Sequence, residues 1–427
     1  MTTNDAFERN LSIWLHEEAE HHVPDHLAEV LQRTATSRQR PAWSSLERWL
    51  PVDTTFRRSV FARPTPVRQL ALLFLIGLLI VALVAFAVGS RRSTLAPYGL
   101  ARNGDVVASR DGDIYAIDPA TSAATLIIGG DTFDFVPTYS RDGSKFLFMR
   151  SDGPMPTSGP PMLSLMVANA DGSGLRALTG PVRELSWFDW SPNGLQIAYI
   201  YNFGTLAVAN VDGSGSTDLV TGQPTHFVTW LPPDGSEILF RGEPAKETDP
   251  GTGIYAIRPD GTGLRPVSTK PPNNDFDYMS LTVAPDGSKI SFARFTSNAT
   301  PSVVVLDLLT GEERVLPHPP GTSQRGGGVF SPDGTLVAYS RIYADGTYQL
   351  VVAPVDGSSD GTALGPLRSG DAEGSSYVFT PDGTAVVAGL GQDDRRDIWR
   401  LPIDGSPGSI VTEGGSFSFV DTQRLAP

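Results

Sequence analysis

Six polar residues recur at nearly the same distance before a turn that the chain repeats. Each stands nine or ten positions ahead of a glycine that follows Asp or Asn. The six are Asp134, Glu184, His226, Tyr278, Arg325 and Glu373. If such groups are gathered into one ring, they could hold a small polar ligand or a peptide by hydrogen bonds. The competing explanation is that strand ends near solvent are often polar.

Other patterns carry weaker chemical signals. Gly357–Gly361 reads G-x-S-x-G, a motif that works as a strand-to-helix elbow in hydrolases, but no helical pattern follows it here. Asp171–Gly174 and Asp212–Gly215 suit hairpin turns, since a calcium loop needs further oxygen ligands at set positions. His22 and His26 are four residues apart, as helical metal ligands can be, yet the chain has no cysteine to complete a zinc site. We therefore expect no catalytic residue, no metal site and no cofactor.

A repeated unit of strand, turn and strand must position the six polar residues. Its clearest copy runs from Val329 to Arg341 and contains the turn Ser-Pro-Asp-Gly. Proline fixes φ in this turn and Gly334 supplies the positive φ that it needs, while side chains alternate afterwards as in a pleated strand. The turn glycines lie 39 to 52 residues apart, at Gly104, Gly143, Gly194, Gly235, Gly287, Gly334 and Gly383.

Each copy predicts four strands. A second turn follows the first, for example at Asp171-Gly172 and Asp356-Gly357, with a short apolar run on either side. Four strands at a period of roughly 40 to 50 residues indicate a β-propeller, whose blades stack in a ring because one blade cannot bury its faces alone. Seven copies predict a mainly β protein with seven blades. Six blades is the alternative, because the copy at Asn103-Gly104 is the weakest.

The last segment of the chain predicts how the ring closes. Gly415–Leu425 resembles the strand Phe133–Tyr139, but no partner strand follows it. The first copy has strands at Asp105–Ser109, Asp113–Ile117 and Thr125–Ile128, with little in front of them. We expect the C-terminal segment to become the innermost strand of the first blade, which would remove the open edges of the ring.

The turns also carry a family resemblance. An aromatic residue stands just before them at Trp190, Phe330 and Phe379. In this they resemble the WD-like repeats of TolB-type propellers, over about residues 100 to 425. The resemblance implies a propeller and does not imply an activity. TolB itself is periplasmic and has a separate N-terminal α/β domain, a pattern this sequence does not show, so a Tol–Pal role is not implied.

Residues 1–66 predict a small cytoplasmic helical region. Apolar residues recur at helical spacing in its first two helices. Helices this short are marginal alone and need each other, a membrane surface or a partner. The candidate partner-binding residues, which would form an apolar face on a protein such as a sigma factor, are Trp14, Leu15, Leu27 and Leu31.

Residues 69–89 predict one transmembrane helix. Leu70–Val88 is an uncharged run of 19 residues, which at about 1.5 Å per residue roughly matches the hydrocarbon core of a bilayer. Arginine is more frequent before the run than after it, which favours an N-terminus inside the cell. A linker at 90–99 would then lead to a propeller at 100–427 outside the cytoplasmic membrane of a bacterium. The opposite orientation is the alternative.

The charge of the chain is unevenly distributed. Residues 1–69 hold nine acidic and nine basic residues, so the whole net charge of −14 belongs to the remainder. An acidic propeller argues against a nucleic acid as its partner.

Three functions fit this organisation. The first is a single-pass membrane protein whose propeller senses or binds a protein or peptide outside the membrane and signals through the N-terminal region. That layout is similar to membrane-anchored anti-sigma factors. The second is an envelope scaffold or adaptor. The third is a carbohydrate-active enzyme, which would need catalytic groups at the channel. We expect a binding protein and not an enzyme.

Overall fold

The computed structural model describes residues 96–151, 153, 160–222, 225–242, 253–269, 277–296, 299–369, 376–392, 395–412 and 417–426. The chain divides into two compact units, Met1–Val88 and Gly89–Pro427. The predicted helices of residues 1–66, the four partner-binding residues and the uncharged run Leu70–Val88 lie outside the described residues and stay predictions. Within the described ranges, no helix is long and apolar enough to cross a membrane.

Seven antiparallel sheets form a seven-bladed β-propeller, as predicted. The first blade contains β1 (Arg102–Arg110), β2 (Asp113–Ile117) and β3 (Ala124–Ile128) together with the last strand, β29 (Ser418–Leu425). The second contains β4 (Phe133–Tyr139), β5 (Lys145–Ser151), β6 (Met162–Asn169) and β7 (Arg176–Ala177), and β8 (Val182–Arg183) pairs with β6. The third contains β9 (Trp187–Trp190), β10 (Gln196–Tyr201), β11 (Thr205–Asn210) and β12 (Ser216–Val220).

The other four blades follow one another along the chain. The fourth contains β13 (Thr225–Trp230), β14 (Ile238–Gly242), β15 (Gly253–Ile257) and β16 (Arg265–Thr269). The fifth contains β17 (Asp277–Val283), β18 (Lys289–Thr296), β19 (Ala299–Asp307) and β20 (Glu313–Val315). The sixth contains β21 (Ser323–Phe330), β22 (Leu336–Ile342), β23 (Tyr348–Pro354) and β24 (Thr362–Arg368). The seventh contains β25 (Tyr377–Phe379), β26 (Ala385–Gln392), β27 (Arg395–Pro402) and β28 (Ser409–Thr412).

The predicted closure by the C-terminal strand is confirmed. β29 pairs with β1 in antiparallel register, with Val106 opposite Thr422 and Ser109 opposite Ser418. Asn103-Gly104, which we expected to be a degenerate turn, instead lies inside β1. The reason is that the partner of β1 comes from the other end of the chain, so this blade has no hairpin between its first two strands.

The turns between the first and second strands of the blades have the conformation that their residues demand. In the sixth blade the Gly334 N–H donates to the Ser331 carbonyl at 2.9 Å, and Gly334 has a φ of 72°. The Asp333 carboxylate accepts from the Ser331 hydroxyl and from the Thr335 N–H at 2.5 and 3.1 Å. Because these contacts are local, the Ser-Pro-Asp-Gly motif sets the turn before any blade packs on another.

The core is divided among seven apolar clusters, one between each pair of neighbouring blades. The cluster between the seventh and first blades joins Val387 and Ile398 to Val106, Phe417 and Val420. It closes the ring through the C-terminal strand and its flanking Phe417. Each buried aliphatic or aromatic side chain of this kind contributes about 1.5 to 3 kcal/mol, so stability depends on the ring being complete.

Candidate functional site

The first strand of each blade is its inner strand, which lies next to the central channel. These strands are β29, β4, β9, β13, β17, β21 and β25. They all begin at one end of the channel, which we call the mouth. In blades 2 to 7 they end at the Pro-Asp-Gly type turns, and we call that end the turn end.

Asp134, the first residue of the predicted ring, lies at the mouth but is fully buried in an ion pair. Arg150 of β5 donates to its two carboxylate oxygens through Nε and Nη2 at 2.7 and 2.8 Å. The Thr132 hydroxyl donates to the same carboxylate at 3.2 Å. The bidentate geometry of this pair gives Asp134 a structural role within its blade.

The other predicted ring residues are dispersed at the beginnings of inner strands. His226 and Arg325 are half-buried in β13 and β21, and Glu184 is half-buried before β9 with a φ of 46°. Tyr278 lies in β17, and Glu373 lies outside the described residues. Their binding role stays a prediction.

A cavity of about 340 Å³ occupies the turn end of the channel. All seven inner strands or the turns after them line it, and Tyr98 and Gly99 line it from the segment before β1. One side of the lining is polar and the other apolar, with Asp421, Asp189, Thr229 and Thr282 on one part of the ring and Val329 and Val378 on the other. A concave site of this volume with convergent polar groups is compatible with a small-molecule ligand.

Two arginines enter the cavity where other blades present proline. Four of the turns contribute Pro232, Pro285, Pro332 and Pro381 to the lining. In the second blade Arg141 occupies the turn position that proline has in these four blades. In the first blade Arg424 lies in the inner strand β29, two residues after Thr422. Desolvation and the charge of Arg141 both lower the pKa of Arg424, because two cations are held close together inside the channel.

Asp189 balances only one of these charges. Its carboxylate accepts from Arg141 Nη2 at 2.6 Å through one oxygen. The other oxygen accepts from the Thr229 hydroxyl and the Trp230 N–H of the next blade, each at 3.0 Å. The second carboxylate, Asp421, accepts from the Tyr139 N–H at 2.7 Å and the Thr422 N–H at 2.8 Å. Both carboxylates thus join neighbouring blades, as well as lining the cavity.

Desolvation inside the channel raises the pKa of Asp421 to about 6, although its hydrogen bonds and Arg141 oppose the shift. The folded-state pKa therefore lies above the value of about 3.9 expected in the unfolded chain, so the folded protein binds more protons between these two pH values. We expect the contribution of Asp421 to stability to fall as pH rises from about 4 to 6, and to be least favourable above 6.

The matching measurement is the midpoint of thermal unfolding as a function of pH. In Asp421→Asn, which cannot titrate, the midpoint should vary less between pH 4 and 6 than in the parent protein. Parallel curves for the two proteins over that interval would contradict the assignment of this titration to Asp421.

A short segment closes the cavity at the turn end. Arg424 Nη2 donates to the Ala96 carbonyl at 3.0 Å, and the Ala101 N–H donates to the Pro381 carbonyl at 2.9 Å. Between these two anchors, Tyr98 lines the cavity with its ring 5.2 Å from the guanidinium carbon of Arg141. We call residues 96–101 the closing segment. It connects β1 to the chain that precedes it.

Three buried donors in this cavity have no acceptor among the described residues. They are the Tyr98 hydroxyl, Arg141 Nε and Arg424 Nε. Burial raises the pKa of Tyr98, so its hydroxyl keeps its proton near neutral pH. A buried donor without an acceptor costs roughly 1 to 3 kcal/mol, so a ligand that supplies an acceptor would be bound favourably by this cluster.

Within the described ranges, no group of three or more His, Asp or Glu residues is arranged to hold a metal ion.

Comparison with known proteins supports the fold. No family model matches the chain, and no curated protein matches it. The periplasmic gluconolactonase PpgL of Pseudomonas aeruginosa is 17% identical with a TM-score of 0.53, over 76% of this chain and 99% of that one. An oligogalacturonate lyase in complex with manganese is 16% identical with a TM-score of 0.50, over 68% and 82%. TolB from Acinetobacter baumannii is also similar, at 16% identity and a TM-score of 0.43, over 60% and 62%. At these identities the likeness is one of fold alone.

Proposed function

We propose that this protein is a membrane-anchored binding module whose propeller lies outside the cytoplasmic membrane and senses a small anionic ligand in the turn-end cavity. The propeller fold and the cavity at the turn end support a binding role. The predicted span and arginine distribution support the anchoring and the orientation. Within the proposal, residues 1–66 dock on a cytoplasmic protein, such as a sigma factor, through Trp14, Leu15, Leu27 and Leu31.

The observation that carries the proposal is the set of unpartnered donors around the cavity. The Tyr98 hydroxyl and the Nε atoms of Arg141 and Arg424 are buried and have no acceptor within the part of the chain that the structure describes. Arginine–carboxylate and arginine–phosphate hydrogen bonds are about twice as strong as neutral ones, so a carboxylate or phosphate is the ligand class that these donors favour. Protonation of Asp421 below about pH 6 removes a competing negative charge, so anion binding should strengthen there.

The closing segment supplies a route for a signal. It contributes Tyr98 to the cavity wall and is fixed to the propeller by the bonds of Ala96 and Ala101. A ligand that accepts a hydrogen bond from Tyr98 would bind one arrangement of this segment more tightly than another, and such differential affinity is what shifts a conformational equilibrium. The segment continues toward the predicted linker and span, so its position could be read by the N-terminal region.

Ligand binding by the full-length protein in nanodiscs tests the proposal. The probes are inorganic phosphate, succinate and citrate, measured by titration calorimetry. Tyr98→Phe removes a hydroxyl whose proton has no acceptor among the described residues, so we expect this variant to be about as stable as the parent. We also expect it to bind the preferred anion more weakly. Arg424→Gln should lower the affinity at least tenfold, because charge-assisted hydrogen bonds contribute about 1.5 to 3 kcal/mol each.

Arg258→Gln is the matched control, since Arg258 is exposed at a turn away from the cavity. Anion binding that is equal in the parent, Tyr98→Phe and Arg424→Gln would refute the site.

A crosslinking pull-down from native membranes, with and without residues 1–66, tests whether the N-terminal region binds a cytoplasmic partner. Recovery of envelope proteins regardless of that deletion would favour the scaffold function instead.

A further inference from the structure

We propose that the mouth of the channel is a second binding site, which takes a neutral saccharide stacked on an aromatic wall. This proposal does not rest on the anion cavity, because the residues that carry it lie at the opposite end of the inner strands.

One position of the inner strand divides the mouth into two unlike halves. It lies seven residues before the turn glycine in most blades and eight in the fourth. In blades 2, 3 and 4 it is Val136, Trp187 and Phe227, and Phe419 of β29 is the corresponding bulge residue in the first blade. In blades 5, 6 and 7 the same position is occupied by Ser280, Gly327 and Ser376. Four neighbouring blades therefore present bulky apolar side chains opposite three that present small ones.

Two side chains of the aromatic half are partly exposed to solvent. Trp187 is 42% exposed and Phe419 is 44% exposed. The rings form pairs across neighbouring blades, with centroids 4.4 Å apart for Trp187 and Phe227 and 6.4 Å apart for Phe135 and Phe419. Exposed aromatic side chains grouped in this way mark interaction sites more often than isolated ones do.

The backbone is strained at the same positions. Val136, Phe227 and Phe419 have φ values of 55°, 50° and 52°, in the left-handed region that side chains of this kind rarely adopt. The hydrogen-bond register shifts at these residues, which identifies them as bulges. In the sixth blade glycines at 326 and 328 take positive φ in the corresponding stretch. Ser280 of the fifth blade has the same conformation, with a φ of 55°, so the bulge occurs in both halves of the mouth. Backbone strain of this kind collects at functional sites.

The bulky apolar half and the small half of the mouth together indicate the class of ligand. A saccharide ring has a C–H face that packs on an aromatic plane and hydroxyl groups around its edge. The wall offers Trp187 and Phe227 for the face, and the small side chains opposite leave room for the rest of the ring. Hydroxyl groups need hydrogen-bonding neighbours, and the polar residues Glu184, His226 and Arg325 begin the inner strands at this end.

The test uses the full-length protein in lipid nanodiscs, because sugar-headed detergents would compete. The probes are cellotetraose, maltotetraose and chitotetraose, with a Phe-containing tripeptide for comparison, measured by saturation-transfer NMR and calorimetry. We expect one saccharide to bind and Trp187→Ala to weaken it at least tenfold, with Phe419→Ala also weakening it. Leu309→Ala is the control, since Leu309 is 93% exposed on the turn-end face.

The two proposed sites are distinguishable in this experiment. Arg424→Gln should retain saccharide binding, and Trp187→Ala should retain anion binding. The mouth proposal is overturned if none of the saccharides binds, if Trp187→Ala and Phe419→Ala bind them as the parent does, or if only the tripeptide binds. Any of these results leaves the anion cavity untouched.

Discussion

Removal of residues 417–427 is expected to abolish the cooperative folding of the propeller. The deleted strand β29 is the inner strand of the first blade, and Phe417 and Val420 fill the cluster between the seventh and first blades. Two buried apolar side chains account for about 3 to 6 kcal/mol. The backbone bonds to β1 and the Asp421 bond to Tyr139 are lost as well. The sum is comparable with the 5 to 15 kcal/mol by which domains are usually stable.

Near-ultraviolet circular dichroism and hydrogen exchange would measure this effect. Exchange should be fastest in β1, β2 and β3, because the deletion leaves β1 as an open edge. Deleting only Ala426 and Pro427 is the control and should change little, since β29 ends at Leu425. A synthetic peptide of residues 413–427 should restore protection in β1. A truncated protein that kept its unfolding midpoint within a few degrees would show that closure by β29 is dispensable.

The architecture was predictable because its signals are local. Each Ser-Pro-Asp-Gly type turn is stabilised by bonds among its own residues, as at Ser331 and Asp333. Six such turns, together with the strand pattern of the first copy, therefore predict seven blades without knowledge of any distant contact. The closing strand was predictable for a related reason, since a lone strand pattern at one end matched a missing strand at the other. The first blade was the exception, because Asn103-Gly104 resembles a turn but has no hairpin partner in sequence.

The candidate sites were less predictable because they depend on strand geometry. Counting back nine or ten residues assumes a regular strand, whereas bulges at Val136, Phe227 and Phe419 shift the register and redirect side chains. The ion pair of Asp134 with Arg150 crosses two strands, and the sequence does not reveal which basic residue lies opposite. One signal for the cavity was present in the sequence. Arg141 replaces the turn proline of most other blades, and a departure from a repeat is where function is most readily added.

Replacement of Asp134 by Ala is expected to lower the free energy of unfolding by roughly 3 to 5 kcal/mol, because it leaves a buried guanidinium without its partner. Asp134 has no exposed surface, and the side chain of Arg150 is only 16% exposed. Urea denaturation of the parent and variant measures the change. The matched control is Arg265→Ala, which breaks a pair with Glu237 in which Arg265 is 52% exposed. Such surface pairs contribute about 0 to 1 kcal/mol, so the control should change stability little.

Asp134→Ala also distinguishes two roles for this residue. The sequence repeat predicts that Asp134 belongs to a ligand-binding ring, whereas the structure shows it in an ion pair with Arg150. If the ion pair is its role, Asp134→Ala should lose stability, and Asp134→Ala with Arg150→Met should recover part of it by removing the buried charge that had paired with Asp134. Ligand affinity of the folded fraction should be unchanged in both variants. If instead stability is unaffected and ligand affinity falls, Asp134 acts in binding and the pair with Arg150 is incidental. The double variant makes this decision possible even where the single one folds poorly.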